Sequence, residues 1–115
     1  MAEKTTYAQT RKTIGLQTYS MGLKYASKVW PGAVACAEHH NVNLTIFSGR
    51  NLDSPHVFEY QYNLIYKLMN PKNLDALVLN SALPCNYADF GAVREFCNDF
   101  KGIPLVSIGQ IIPGI

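Results

Sequence analysis

Four short apolar segments alternate with three helical patterns along the 115 residues of the chain. That alternation predicts an α/β fold, with a parallel sheet covered by helices on both faces. A second observation agrees. Each apolar segment ends in small or polar residues, namely Gln17-Thr18-Tyr19-Ser20, Ser48-Gly49-Arg50-Asn51, Asn80-Ser81 and Gly109-Gln110. Right-handed crossovers then restrict the topology to a three-layer αβα arrangement with strand order 2-1-3-4.

The elements follow in order. Residues 1–11 are polar and read as a flexible lead-in. The first strand spans about Thr13 to Gln17, with Gly15 small enough to admit whatever packs above it. A loop through Tyr25 leads to a helix capped by Ser27, with Pro31 tolerated early and Asn41 as its stop. Trp30, Ala33, Val34 and Ala37 make its apolar face. The second strand is Asn43 to Phe47, rich in β-branched and aromatic residues. Asp53 or Ser54 with Pro55 signals a second helix, about His56 to Met69, with Phe58, Tyr62, Ile65 and Leu68 or Met69 on its inner side. The third strand is about Ala76 to Leu79. Asp89 caps a third helix whose buried face is Val93, Phe96, Cys97 and Phe100, with Gly102 and Pro104 beyond its end. The fourth strand, about Pro104 to Ile108, is an open edge of the kind that finds partners.

Composition narrows the function classes. The hydrophobic fraction of 48% is ordinary for a globular core, whereas 16% charged is low. A low charge fraction implies a surface covered by something else: a second lobe, a second subunit or further chain. The net charge of +2 is small and the basic residues are scattered, so nucleic acid is not an expected partner. Cys36, Cys85 and Cys97 form no CxxC pair, which places the chain in a reducing compartment. No secretory leader or membrane-length apolar run is visible, so a cytoplasmic protein is expected. Cys36 and Cys97 fall on apolar faces and are expected to be packed; Cys85, in a loop, is the expected reactive thiol.

In open α/β sheets ligands bind beyond the carboxyl ends of the strands. The candidate site is therefore drawn from those ends: Thr18, Tyr19, Ser20 and Met21 after the first strand, Ser48 and Arg50 after the second, Asn80 and Ser81 after the third, and Gln110 after the fourth. Hydroxyls and an aromatic ring suit a polyol, an asparagine offers both donor and acceptor, and an arginine suits a carboxylate or phosphate. The plain alternative is ordinary surface loops with a solvated arginine and a turn-forming asparagine. His39-His40 lacks companions at metal-ligand spacing and reads as a helix-end pair; no metal or cofactor is expected. His56 with Asp53 and Ser54 reads as a cap, not a catalytic triad. Neither GxGxxG nor GKS/GKT follows the first strand, which argues against dinucleotide and P-loop sites. No general base with a partner is identifiable, so an enzyme is not expected.

The stretches TIGLQT, WPGAVACAEHHNVNLTIFSG, FEYQYNLIYKLMNPKNLDALVLNS and GIPLVSIG together resemble the N-terminal lobe of type I periplasmic-binding-protein-like domains. These are the ligand-sensing cores of lactose/galactose-repressor-type transcription factors and sugar-binding receptors. GRNLDSPHVFEYQYNLIYKL is similar to a narrower group, in which the sensor is fused ahead of a histidine kinase or a diguanylate cyclase. The resemblance covers about residues 12–112. It implies that residues 12–115 form one lobe of a sensor for a sugar-like or other small polar ligand. It further implies a second lobe and an output domain elsewhere in the protein, and a homodimer. Residues 1–11 hold no helix-turn-helix and residues 12–115 make up one lobe only, so the chain is expected to be a fragment of a longer protein, with no nucleic-acid or membrane contact from this lobe. A different class of reading is a free-standing flavodoxin-like domain acting through self-association or a protein partner. A phosphorylatable receiver is disfavoured, because Thr18/Tyr19 and Asn80/Ser81 occupy the positions where it needs acidic residues.

Overall fold

The computed structural model describes residues 11–19, 26–50, 57–80, 90–100, 102–109 and 115. Four strands, β1 (Thr13–Tyr19), β2 (Asn43–Gly49), β3 (Ala76–Asn80) and β4 (Leu105–Ile108), pair in parallel in the order β2-β1-β3-β4. Three helices accompany them: α1 (Ala26–His39), α2 (Val57–Tyr62), which continues into a 3₁₀ segment (Asn63–Leu68), and α3 (Phe90–Asn98). The fold is the expected α/β arrangement with the expected strand order.

Three strands run further than their apolar cores. Thr18 and Tyr19 belong to β1, Ser48 and Gly49 to β2, and Asn80 to β3. The ladder explains this: Thr18 aligns with Ser48 and Tyr19 with Gly49, and backbone pairing does not require apolar side chains. At the opposite end the sheet is fastened by Asp75, whose carboxylate accepts the Thr13 N–H at 2.8 Å, while the Asp75 N–H donates to the Thr13 carbonyl at 2.8 Å.

Alternation along the strands sorts side chains onto two faces. Gly15, Gln17, Phe47, Leu77, Leu79 and Leu105 share one face, where the 3₁₀ segment and α3 pack. Both clusters of buried apolar residues among the described residues lie here. One holds Phe47, Tyr66, Met69, Leu74, Leu77 and Phe100; the other holds Leu79, Val93 and Cys97. Gly15 is needed on this face, because a Cβ there would stand 2.6 Å from Leu74 Cδ1. Ile14, Leu16, Thr18, Leu44, Val78 and Ile108 share the other face with α1.

Helix α1 begins at Ala26, one residue before the expected Ser27 cap, and Pro31 stands in its second turn. Its end is as read: Asn41 adopts φ 54°, Val42 N–H donates to Ala37 O and Asn41 N–H to Glu38 O. This is a Schellman termination. The second helix departs from expectation. Phe58, Tyr62, Ile65 and Leu68 point outward, and Tyr66 and Met69 are the buried residues. The α-helix gives way at Asn63 to 3₁₀ geometry, whose three-residue period aligns Asn63, Tyr66 and Met69 instead. The face of α3 is as expected, with Val93, Cys97 and Phe100 buried and Phe96 packed against them. Cys36 is exposed, contrary to expectation, because it lies on the flank of α1 beside an open groove. No helix among the described residues is long and apolar enough to cross a membrane.

Candidate functional site

The chain leaves β1 in two directions. Helix α1 carries it over one face to β2, and the α2 and 3₁₀ segment return it over the other face to β3. The carboxyl ends of β1 and β3 therefore flank the topological switch point, where a crevice opens in sheets of this kind.

Three polar residues form a row there on the α1 face. Ser48 on β2 aligns with Thr18 on β1, and Asn80 on β3 donates from Nδ2 to Thr18 Oγ1 at 3.4 Å. Thr18 is 1% exposed and Asn80 0% exposed, and Asn80 Oδ1 has no hydrogen-bond partner. A buried carbonyl without a donor costs free energy on the order of 1–3 kcal/mol. Asn80 Oδ1 is thus a buried acceptor without a donor at the carboxyl end of β3.

On the opposite face the neighbouring residue builds a second network. Gln17, 0% exposed, donates from Nε2 to the Tyr66 hydroxyl at 2.9 Å, and Tyr66 donates in turn to the Arg50 carbonyl at 3.4 Å. Gln17 Oε1 is likewise buried without a partner. Arg50 N–H donates to Asn63 Oδ1 at 2.7 Å, so Asn63, Tyr66 and Gln17 tie the β2 loop to the end of β1. Gly49 makes room for this: a Cβ there would collide with the Tyr66 ring and hydroxyl. The Arg50 guanidinium is turned into its own surroundings, donating to Gly49 O at 3.0 Å and lying 4.2 Å over the Tyr62 ring.

The structure thus brings Thr18, Asn80 and Ser48 into one row and places Arg50 with the separate Tyr66 network. Tyr19 closes β1, where only its backbone is described. Ser20, Met21, Ser81 and Gln110 lie outside the described residues, as do Asp53, Ser54, Pro55, His56, Cys85 and Asp89. Asn63 and Tyr66 are not candidates from the sequence, and Gln17 is read there as part of the polar run that ends the first strand but not as a site residue. A signal for Gln17 existed: it shares strand parity with Gly15 on a buried face, where a glutamine must find a partner.

His39 and His40 stack edge to face with centroids 5.0 Å apart, and no group of three or more metal-ligating side chains occurs among the described residues. Burial raises the Cys97 thiol above its ordinary value of 9.0, so it is a poor nucleophile. Comparison with family models, curated proteins and solved structures returned no match.

Proposed function

We propose that this chain is a binding module that takes a small, neutral, hydrogen-bond-donating ligand at the switch point between β1 and β3. The observation that carries the proposal is the buried Thr18–Asn80 pair with its unpartnered Asn80 carbonyl oxygen. An acceptor of this kind favours hydroxyl or amide donors, as in a sugar or polyol. The Arg50 guanidinium, held against Tyr62 and Gly49, is turned away from the anion-holding role considered for it. In keeping with the resemblance to type I periplasmic-binding-protein-like lobes, the ligand would be held between this lobe and a second one. Closure of the two lobes would bias a cytoplasmic signalling or transcription-regulatory output, since a ligand shifts a conformational equilibrium only by its differential affinity. The module itself performs no catalysis in this reading.

The test is a thermal-shift and calorimetric screen of the two-lobed protein against neutral sugars and polyols, with sugar phosphates as the contrasting set. A neutral probe should raise the melting temperature of the wild type, and Asn80→Ala should abolish that shift. The unliganded variant should melt within a few degrees of wild type, because Asn80 contributes one long hydrogen bond and one unsatisfied carbonyl. Retained affinity in Asn80→Ala would remove this residue from the site. A screen in which only sugar phosphates bind would overturn the neutral-ligand reading.

A second reading, self-association or a protein partner, is favoured by a different observation: the apolar groove beside α1.

A further inference from the structure

The second helical element carries two registers in one sequence. Residues 57–69 hold no glycine or proline, and Phe58, Tyr62, Ile65 and Met69 recur at the spacing of one α-helical face. The structure follows that spacing only as far as Tyr62. From Asn63 to Leu68 the chain winds as a six-residue 3₁₀ helix, longer than the roughly three to four residues such runs usually reach. Phe58, Tyr62 and Ile65 are left 62%, 49% and 37% exposed, and Met69 alone of the stripe is buried.

Side-chain bonds explain why the tighter register stands. The buried Tyr66 hydroxyl accepts from Gln17 Nε2 at 2.9 Å and donates to the Arg50 carbonyl at 3.4 Å. Asn63 Oδ1, one 3₁₀ turn earlier, accepts the Arg50 N–H at 2.7 Å. At the far end Asn73 Nδ2 donates to the Leu68 carbonyl at 2.8 Å, and Met69 belongs to the core cluster. The 3₁₀ register therefore keeps a buried polar network and leaves an apolar stripe in water. An α-helical register does the reverse.

We propose that residues 57–68 form a two-state helical switch, with the Tyr66 hydroxyl as the latch that holds the 3₁₀ form. A 3₁₀ helix turns about 120° and rises about 2.0 Å per residue, an α-helix about 100° and about 1.5 Å. With Met69 fixed in the core, conversion of Asn63–Leu68 shortens the segment by about 3 Å and rolls α2 by about 120°. Phe58, Tyr62 and Ile65 then come within about 40° of the Met69 side, and Tyr66 turns about 60° away from it, out of reach of Gln17. Gln17 directly precedes Thr18 on β1, so the latch ties the roll of α2 to that strand end. Whatever draws on the Gln17 amide releases Tyr66, and whatever holds α2 in the rolled form frees Gln17, because coupling through one equilibrium is reciprocal. This inference is independent of the ligand proposed at Asn80.

Two variants of the full-length protein test it. Tyr66→Phe removes the hydroxyl and keeps the ring in the core. Gln17→Leu combined with Tyr66→Phe removes both polar partners, which leaves no orphaned group between them and is close to neutral for stability. In NMR spectra of the wild type, contacts across 63–68 should run from each Hα to the amide two residues on. In both variants they should run to the amide four residues on. In an Ile65→Cys background, maleimide labelling at position 65, mapped by mass spectrometry, should slow several-fold in either variant, because residue 65 turns inward. A hydroxyl that only stabilises the fold would leave that rate unchanged or raise it. Contacts of the α-helical kind already present in the wild type overturn the proposal. So do 3₁₀ contacts that persist in both variants, or labelling at position 65 that does not slow.

Discussion

The two faces of the sheet make different use of the same strands. On the face covered by α3 and the 3₁₀ segment, aromatic and aliphatic side chains close over Leu77 and Leu79, which are 0% and 1% exposed. Tyr66, Phe96 and Phe100 continue edge to face with centroids 5.6 and 5.0 Å apart. On the α1 face Ile14, Leu44, Ile46, Val78 and Ile108 are only half-buried, though no less apolar. Composition alone therefore does not decide which face becomes core. Among the described residues the closed face has two packing elements with large side chains, whereas the other face has one helix whose inward residues include Ala33 and Ala37. Stability should reside in the first face, and recognition in the second and at the strand ends.

The largest test of this comparison is a paired truncation. Leu77→Ala should cost about 2–5 kcal/mol in urea unfolding, as expected for a fully buried leucine. Val78→Ala, one residue along and on the other face, should cost under about 1 kcal/mol in the absence of a partner. Equal costs would mean that the faces are equally packed.

A pair of glycines sharpens the contrast through its sign. Gly49→Ala drives a methyl into Tyr66 and should destabilise by about 1–3 kcal/mol. Gly32→Ala on α1 meets open space and should stabilise by about 0.5–1 kcal/mol through helix propensity. Chemical denaturation of both variants reads this directly, and a destabilised Gly32→Ala would mean that α1 is already crowded there.

Thiol chemistry reports the same division more gently. Cys36 should react with a maleimide in the native state, faster than Cys97, which should label only as the fold opens; peptide mapping by mass spectrometry separates the two sites. Burial raises the Cys97 thiol, so above its ordinary value of 9.0 the folded state keeps a proton that the unfolded state has lost. Stability from this group is fully present below that value and declines as pH rises past it. The urea midpoint should therefore fall slightly between neutral pH and about pH 10 in wild type, and less in Cys97→Ala when each variant is referred to its own neutral-pH value.

Much of the fold was legible along the chain. The alternation of strands and helices, the stop at Asn41 and the buried face of α3 are written in short-range patterns, because periodicity, caps and turn residues act over a few positions. The second helix shows where such patterns mislead. Phe58, Tyr62 and Ile65 have α-helical spacing, but the tightening at Asn63 rotates the following residues and buries Tyr66 in their stead. The polar residues at the strand ends were legible as a group, but their partners were not. Thr18 and Asn80 read as two contacts of one cleft, each in the loop after its strand; they lie within β1 and β3 and hydrogen-bond to each other, whereas Arg50 joins Tyr62 and the Tyr66 network.

By itself the sequence determined the class of fold, the order of elements and the polar character of the strand ends, all of which follow from local preference and from the handedness of crossovers. Tertiary structure alone decided that Gln17 meets Tyr66 across 49 positions and that Asn80 meets Thr18 across 62. It also decided that, among the described residues, one apolar face closes over Leu77 and Leu79 while Ile14, Leu44, Val78 and Ile108 on the other are half-buried. The reason is geometric: strand register brings distant residues side by side, and the number of elements packed on a face, not its hydrophobicity, determines whether that face is buried.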